Sequence, residues 1–312
     1  MTRAKSSIVI FEMKALVISN CAARAYVQGM QILFPTWDIR GLRSKDAVQL
    51  VEEGNEEFLN FAEVADVYVG TPMPLLQKQF PTIKFLQVVK SNTVYVYIPN
   101  FVFRGLHPDI FYLRTDVRPI LPPDTMYSRL VVVSYLLGFT VKEAMAAFSE
   151  PVYRRIGDFD AFDDETIKVC ETFDEYGIDV REPLQGWISS GQFVYTLNHA
   201  KAFVYFDILL SALRDRLISA EQIQRKQPLR GKIRDYLAKA PFWPVYPELA
   251  VPRRIPGSLV WHTRKDANYE QLNHETFVSR SYENLARDKD LSPALVPGFD
   301  VAKDAILSCS DT

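Results

Sequence analysis

The sequence predicts an α/β protein with a parallel-sheet N-terminal part that carries helices on both faces. In about the first hundred residues, short apolar runs alternate with helical patterns, which is typical of such a sheet. From Ser128 the patterns become mainly helical, and after residue 228 repeated prolines indicate an irregular segment. We therefore predict an α/β part at 14–125, a mainly helical part at 126–227 and a wrapping, non-independent segment at 228–312.

The predicted sheet begins with the stretch around Cys21. An apolar run at 15–18 is typical of a buried parallel strand, and Ser19 and Asn20 favour a turn before a helical pattern at 22–33. Cys21 therefore lies at the carboxyl end of a strand and the amino end of a helix, where open α/β sheets bind ligands. The helix N-terminus favours an anion such as a phosphate or a thiolate. The alternative is that Cys21 is a small buried side chain that only fills space.

The other elements follow from hydrophobic periodicity and from helix-end signals. Thr140 and Glu143 form the pattern of a capping box at the start of one helix, and a break is predicted around Trp187. The predicted strands lie at 37–42, 64–69, 84–89 and 94–98, and the predicted helices lie at 45–62, 75–80, 129–137, 141–148, 163–176 and 203–217.

Composition excludes several classes of protein. The chain has 312 residues and a net charge of −2, so it has no electrostatic case for binding nucleic acid. Three widely spaced cysteines argue against a disulfide framework and fit a reducing compartment. No apolar run approaches the length of a signal-peptide core or a membrane span. We expect a cytoplasmic protein, with peripheral association at the inner membrane through a partner left open.

The four histidines are the next candidates for chemistry. His107 lies in a loop at 98–109, where Asp109 could orient its ring or cap the next segment. His199 follows Asn198 at the predicted start of the helix at 203–217, a position that favours a neutral imidazole and therefore a general base. A capping pair without chemistry is the equal alternative. His262 and His274 lack matching Cys or carboxylate spacing, so no metal site is predicted.

Three blocks together resemble the WcbI-type capsular polysaccharide biosynthesis proteins, over about residues 14–217. The first block is Ser19-Asn20-Cys21-Ala22, with Ser and Ala where the family usually has Gly and Gln. The second block runs from Gly105 to Asp109 and matches closely, and the third is Asn198-His199-Ala200 with Ala in place of Pro. The resemblance implies an acetyltransferase that moves acetyl from acetyl-CoA to a sugar hydroxyl of a capsular polysaccharide or its precursor.

The resemblance also implies roles for particular residues. Because Ala22 cannot donate a hydrogen bond as the family's Gln could, Asn20 becomes the candidate side-chain donor to an oxyanion. Transfer could pass through an acetylated Cys21, or the sugar could attack the thioester directly while His107 or His199 removes its proton. The implied catalytic residues are Cys21, His107, His199, Asp109 and Asn20. The implied binding residues for acetyl-CoA or coenzyme A are Ser19, Asn20, Cys21, Arg24, Lys90, Ser91, Asn92 and Arg104.

Two other functions stay open. The family also resembles serine esterases of the SGNH type, so an acetyl esterase acting on polysaccharide could use the same residues. A non-catalytic subunit that holds CoA or sugar in a capsule assembly complex is the second alternative. The expected partners are a small-molecule acyl donor, a sugar or polysaccharide acceptor and other capsule biosynthesis proteins.

Overall fold

The computed structural model describes residues 13–81, 89, 92–113, 126–239, 241–265 and 268–310. The described residues within Met1–Asn100, Tyr176–Ile178 and Tyr205–Arg234 form a first compact unit. Those within Phe101–Glu175, Asp179–Val204 and Asp235–Thr312 form a second. Within the described parts of the chain, no helix combines the length and apolarity needed to cross a membrane.

The first unit is built on a parallel four-stranded sheet. Its strands are β1 Lys14–Ser19, β2 Asp38–Arg43, β3 Val67–Gly70 and β4 Val94–Tyr97, in the spatial order β2-β1-β3-β4. β1 and β3 are buried along nearly their whole lengths, as expected for inner strands covered on both faces. The predicted α/β class with an N-terminal parallel sheet is confirmed.

Helices cover both faces of this sheet, because successive side chains of a strand point in opposite directions. Leu16 and Ile18 of β1 pack in one apolar cluster with residues such as Phe58 and Phe61. On the other face, Val27 lies against Gly41, where any β-carbon would come within 2.0 Å of its methyl group. The helices of this unit are α1 Ala23–Leu33, α2 Ser44–Glu52, α3 Glu56–Val64 and α4 Met73–Gln79, followed later in the chain by most of α10 Ala202–Leu213 and by α11 Ala220–Lys226.

The second unit is mainly helical and contains three short antiparallel strand pairs. Its interior is rich in aromatic side chains, among which Trp261 and Phe277 stack with ring centroids 3.9 Å apart. The strand pairs are β5 Ile110–Tyr112 with β6 Met126–Ser128, β7 Val194–Thr196 with β8 His199–Ala200, and β9 Trp261–Lys265 with β10 Asn268–Leu272. The remaining helices are α5 Arg129–Leu136, α6 Val141–Ala146, α7 Glu150–Ile156, α8 Ala161–Asp174, α9 Arg181–Ser189, α10 Ala202–Leu213, α12 Pro247–Ala250, α13 His274–Leu285 and α14 Phe299–Ser310.

Some predicted elements differ from the structure. The single helix predicted at 45–62 is two helices, because the Asn55 side chain accepts from the N–H of Phe58 and starts α3 as an N-cap. The break predicted around Trp187 is wrong, since Trp187 lies inside α9 and anchors it by complete burial. The strand predicted at 84–89 lies almost entirely outside the described residues. The capping box of Thr140 and Glu143 is confirmed at the start of α6.

Candidate functional site

The first unit presents its candidate site at the carboxyl edge of the sheet. β1 and β3 are neighbours, but β1 continues into α1 while β3 continues into α4. Val27 of α1 packs on one face of the sheet, and Leu76 of α4 belongs to the apolar cluster on the other. The chain therefore leaves these two strand ends toward opposite faces, which makes the edge between them a topological switch point.

The turn after β1 places Cys21 at this edge. Ser19 is buried, Asn20 is half-buried and Cys21 is exposed. The Asn20 side chain accepts from the N–H of Ala22 through Oδ1 at 3.2 Å, and this bond holds the turn that starts α1. The first turn of α1 contains no acidic residue, so its N-terminal N–H groups keep their preference for an anion.

Asn100 and Thr71 also lie at this edge, although no motif in the sequence marks either residue. Asn20 donates from Nδ2 to Oδ1 of Asn100 at 2.9 Å. Thr71 is buried, and its hydroxyl has no hydrogen-bond partner among the described residues. Its backbone N–H donates to the carbonyl of Ile18. The preceding residue, Gly70, has a φ of +131° and lies so close to the same carbonyl that only glycine is tolerated there. The signal that could have found both residues is their position after parallel strands.

Arg43 brings a positive charge to the same edge. It ends β2 and pairs in register with Ser19, and Asp46 accepts from its guanidinium at 2.8 and 3.0 Å. The hydrogen bond to Asp46 is the main cause that raises the pKa of Arg43, and the nearby Cys21 adds a smaller effect in the same direction. Arg43 was missed because its residue type is common on solvated surfaces.

The residues predicted to bind a cofactor are distributed as follows. Arg24 and Asn92 are exposed residues of the first unit, and Arg104 is an exposed residue of the second. Lys90 and Ser91 lie outside the described residues. Their binding roles stay predictions.

His107 lies in the second unit with its ring buried. Its Nε2 is 2.8 Å from the carbonyl oxygen of Trp243, which can only accept, so Nε2 carries a proton. Nδ1 has no hydrogen-bond partner among the described residues. Burial lowers the pKa of His107 to about 4, against the smaller raising effect of the Trp243 carbonyl.

Asp109 caps a helix and binds a tyrosine. Its Oδ1 accepts from the N–H of Leu130 in the first turn of α5 at 2.9 Å, and its Oδ2 accepts from the hydroxyl of Tyr246 at 2.7 Å. The Tyr246 oxygen accepts in turn from Nε1 of Trp243 at 3.2 Å. Burial and the Asp109 carboxylate raise the pKa of Tyr246 well above its usual value. Of the two predicted roles for Asp109, capping the next segment is the one observed.

His199 is also buried in the second unit, but its local setting differs from the prediction. It belongs to β8, where it pairs with Thr196, and α10 begins only at Ala202. His199 therefore precedes the helix instead of opening it, and Asp235 accepts from the N–H of Ala202 at the helix start. The role of His199 as a base stays a prediction. Asn198 accepts from the hydroxyl of Thr196 at 3.3 Å.

Across the described residues, no three or more His, Cys, Asp or Glu side chains gather in a way that could hold a metal ion. The first unit thus offers a thiol, side-chain amides, a hydroxyl and a helix N-terminus at one sheet edge. The second unit offers a buried, neutral imidazole.

Comparison with known proteins identifies a family and a related fold. The family described as "Polysaccharide biosynthesis enzyme WcbI" matches residues 14–221. A solved structure of WcbI, described as a novel polysaccharide biosynthesis enzyme, aligns with a TM-score of 0.62 at 12% sequence identity. The alignment covers 96% of this chain and 99% of that one. That structure is described as the native protein without the disulfide bond between CoA and one of its cysteines.

No curated protein matches the chain. The solved structure supports the fold, and the family match extends over about two thirds of the sequence, including Cys21, His107 and His199. The family predicted from the three sequence blocks is therefore confirmed, and the chain belongs to the WcbI family of polysaccharide biosynthesis enzymes.

Proposed function

We propose that this enzyme transfers acetyl from acetyl-CoA to a hydroxyl of a capsular polysaccharide or its precursor. The observation that carries the proposal is the exposed Cys21 at the carboxyl edge of the sheet, followed directly by the N-terminus of α1. The related solved structure is described as the native protein without a disulfide bond between CoA and one of its cysteines. Such a bond needs the CoA sulfur beside a cysteine sulfur, and that CoA sulfur is the atom that carries the acetyl group.

Cys21 is the cysteine of this chain that fits such an approach best. Cys170 and Cys309 are half-buried, and neither follows a strand of the parallel sheet. The N-terminus of α1 and the Arg43 guanidinium favour negative charge near Cys21. We therefore assign the thioester end of acetyl-CoA to the turn formed by Ser19, Asn20 and Cys21.

The proposed chemistry is direct transfer. The sugar oxygen attacks the thioester carbonyl carbon while a histidine takes the hydroxyl proton. The bond from carbon to sulfur then breaks, and the departing CoA thiolate takes the proton back from the imidazolium. Asn20 and backbone N–H groups of the turn stabilise the oxyanion, a contribution of about 3 to 4 kcal/mol per donor. A covalent acetyl-Cys21 is less favoured, because exchange of a thioester for another thioester gains no free energy.

The first test is calorimetric titration of the purified protein with CoA and with acetyl-CoA. We expect one CoA per chain with micromolar affinity, and Cys21→Trp, which fills the turn, abolishes binding while Cys170→Trp does not. A wild-type protein that binds neither ligand contradicts the proposal.

The second test separates transfer from hydrolysis. Acetyl-CoA and de-acetylated capsular polysaccharide are incubated with the enzyme, and acetyl ester on the sugar and free CoA are measured together. Equal amounts of both support transfer. Release of acetate from acetylated polysaccharide without CoA supports the esterase instead. Binding of CoA without turnover, together with unchanged capsule acetylation in cells after substitution of His107 and His199, supports a binding subunit.

A further inference from the structure

The second unit contains a small cavity with apolar walls and a single charge. Its volume is about 220 Å³, and all of its lining residues belong to this unit. Much of the wall comes from Phe162 at the start of α8, Ile188 near the end of α9, and the chain at 252–255 that follows α12. Among the described residues that line the cavity, Arg253 alone carries a charged or polar side chain. Pro252 is exposed, so one edge of the cavity is open to solvent.

The guanidinium of Arg253 is held in place at this wall. Its Nη2 donates to the carbonyl of Phe159 at 2.9 Å, and its central carbon lies 4.2 Å from the centroid of the Phe162 ring. Because Phe162 itself lines the cavity, the charged end of Arg253 lies beside the cavity, and not only its apolar stem. A cation fixed in this way has lost much of its rotamer freedom before a ligand arrives, which lowers the cost of binding.

The turn that carries Arg253 is ordered by backbone hydrogen bonds. The N–H of Arg254 donates to the carbonyl of Val251 at 3.1 Å, and the N–H of Ile255 donates to that of Ala250 at 3.3 Å. Arg254 adopts the left-handed conformation with a φ of +56°, and Ile255 after it lines the cavity again. The turn therefore presents a cation and an apolar side chain to the same space.

Arg253 lacks an acidic partner within the described parts of the chain. Its polar interactions there are the hydrogen bond to Phe159 and the contact with the Phe162 ring. A guanidinium has five N–H donors, and the Phe159 carbonyl takes one of them. A cation at an apolar wall loses hydration, and an anion is the group that compensates this loss best. The cavity thus has a charge that a ligand can balance.

We propose that this cavity binds a small carboxylate whose apolar body lies between Phe162, Ile188 and Ile255 and whose carboxyl group pairs with Arg253. An apolar cavity of about 150 Å³ holds benzene, so this larger one admits a single ring or a short chain together with its carboxyl group. The planar guanidinium matches a carboxylate through two parallel hydrogen bonds. Inorganic phosphate has no apolar part to bury.

This site is separate from the turn at Cys21, and the inference does not depend on acetyl transfer. Pro252, Arg253 and Ile255 also lie beyond residues 14–221, which the family match covers. A protein that binds a small carboxylate here without transferring acetyl supports this inference and contradicts the proposed function alone.

The first experiment locates binding by NMR. Full-length protein with ¹³C-labelled isoleucine methyl groups is titrated with phenylacetate, and Ile188→Val and Ile255→Val identify the two cavity signals. We expect both signals to shift with a dissociation constant of about 1 mM or lower. The signal of Ile167, an exposed residue of α8, stays in place. Absence of a shift at Ile188 and Ile255 overturns the inference.

Matched ligands test the chemical class. Phenylacetamide keeps the ring without the charge, acetate keeps the charge without the ring, and inorganic phosphate is an anion without an apolar part. We expect each of them to bind at least about tenfold more weakly than phenylacetate. Equal or tighter binding of any of the three overturns the assignment to a carboxylate with an apolar body.

Substitutions test the two parts of the site. Arg253→Met keeps the packing on Phe162 but removes the charge, and we expect phenylacetate to bind at least about tenfold more weakly. Arg254→Met, at the exposed neighbouring position, is the matched control and keeps the affinity. If Arg253→Met does not fold, Arg253→Lys retains the charge without the paired hydrogen bonds, and we expect a loss of about three- to tenfold. Unchanged affinity in the Arg253 variant overturns its role.

Ile188→Trp fills the cavity, and we expect it to abolish binding of phenylacetate. Ile167→Trp introduces the same side chain at an exposed position of the same unit and leaves the affinity unchanged. Unchanged binding by Ile188→Trp shows that phenylacetate lies elsewhere and overturns the site.

Discussion

Asn20 donates a hydrogen bond from its side-chain nitrogen to the side-chain oxygen of Asn100, and this bond joins the chain that follows β1 to the chain that follows β4. Asn20 therefore uses its oxygen to hold the Cys21 turn and one amide hydrogen to hold Asn100. Among the hydrogen bonds of the described residues, the second amide hydrogen of this side chain is left to donate to a ligand.

The substitution Asn20→Asp tests the separate roles of the side-chain oxygen and the amide hydrogens. The carboxylate keeps the acceptor for the Ala22 N–H, but it loses both amide donors and repels the oxygen of Asn100. We expect acetyl transfer to fall about 10²- to 10³-fold while the free energy of unfolding changes by less than about 1 kcal/mol. Asn60→Asp, at an exposed position of α3, is the matched control and keeps full activity. Equal rates for the two variants contradict the role of Asn20.

Cys21→Ala separates the two mechanisms of transfer. In direct transfer the thiol only lines the site, so we expect the variant to keep its rate within about tenfold of wild type, a difference of about 1.4 kcal/mol in the barrier. Acetyl-CoA consumption is measured, with Cys170→Ala as the control. Complete loss of transfer in Cys21→Ala alone, together with an acetylated Cys21 peptide in the wild type, establishes the covalent route.

Arg43→Gln tests the charge beside Cys21. Removing the guanidinium disfavours the thiolate, so we expect Cys21 to react several-fold more slowly with iodoacetamide at pH 7. The measurement uses a background in which Cys170 and Cys309 are serine. Arg40 lies on the same strand as Arg43 and pairs with Glu57 of α3. We expect Arg40→Gln to leave the rate unchanged. A similar rate in both variants shows that Arg43 does not act on the thiol.

Asp109→Ala removes a buried acceptor that serves two donors, the N–H of Leu130 and the hydroxyl of Tyr246. Each donor left buried costs about 1 to 3 kcal/mol, so we expect a loss of about 2 to 5 kcal/mol in the free energy of unfolding by urea. Asp163→Ala, at an exposed position in α8, changes this energy by less than about 1 kcal/mol. A small effect at Asp109 would show that the surrounding groups find other partners.

Asp158 makes stability depend on pH. Burial raises the pKa of its carboxyl from 3.8 to about 7, and Asp109 adds to the shift while Arg129, which binds it at 2.8 Å, opposes it. The folded state therefore holds a proton that the unfolded state releases, so the contribution of Asp158 is complete below about pH 4 and is lost as the pH rises toward 7.

The expected slope from this group alone is about 1.4 kcal/mol per pH unit between pH 4 and 7. Asp158→Asn removes the titration, so its stability relative to wild type rises over this range. Urea unfolding at pH 5, 6, 7 and 8 measures the effect. A constant difference between the two proteins across these pH values contradicts the raised pKa.

Local signals in the sequence were enough for the first strand, turn and helix, because an apolar run, two turn formers and a helical pattern lie within twenty residues. The capping box at Thr140 was equally local. The partners of the site residues were not predictable in this way. Asp109 binds Tyr246, 137 positions away, and His107 binds Trp243, 136 positions away. No periodicity links such pairs, so the sequence suggested His107 as a base but not the groups that orient it.

Two reciprocal hydrogen bonds join Gln28 of α1 to the backbone of Arg234, and Lys226 donates to the carbonyl of Leu33 at the end of the same helix. The helix that begins at the Cys21 turn is thus held by hydrogen bonds from residues that are synthesised some two hundred positions later. During translation, the first unit therefore cannot finish folding until about three quarters of the protein has left the ribosome. A fragment that ends at Asn100 would contain every strand of the sheet and still lack the segments that hold α1 in place.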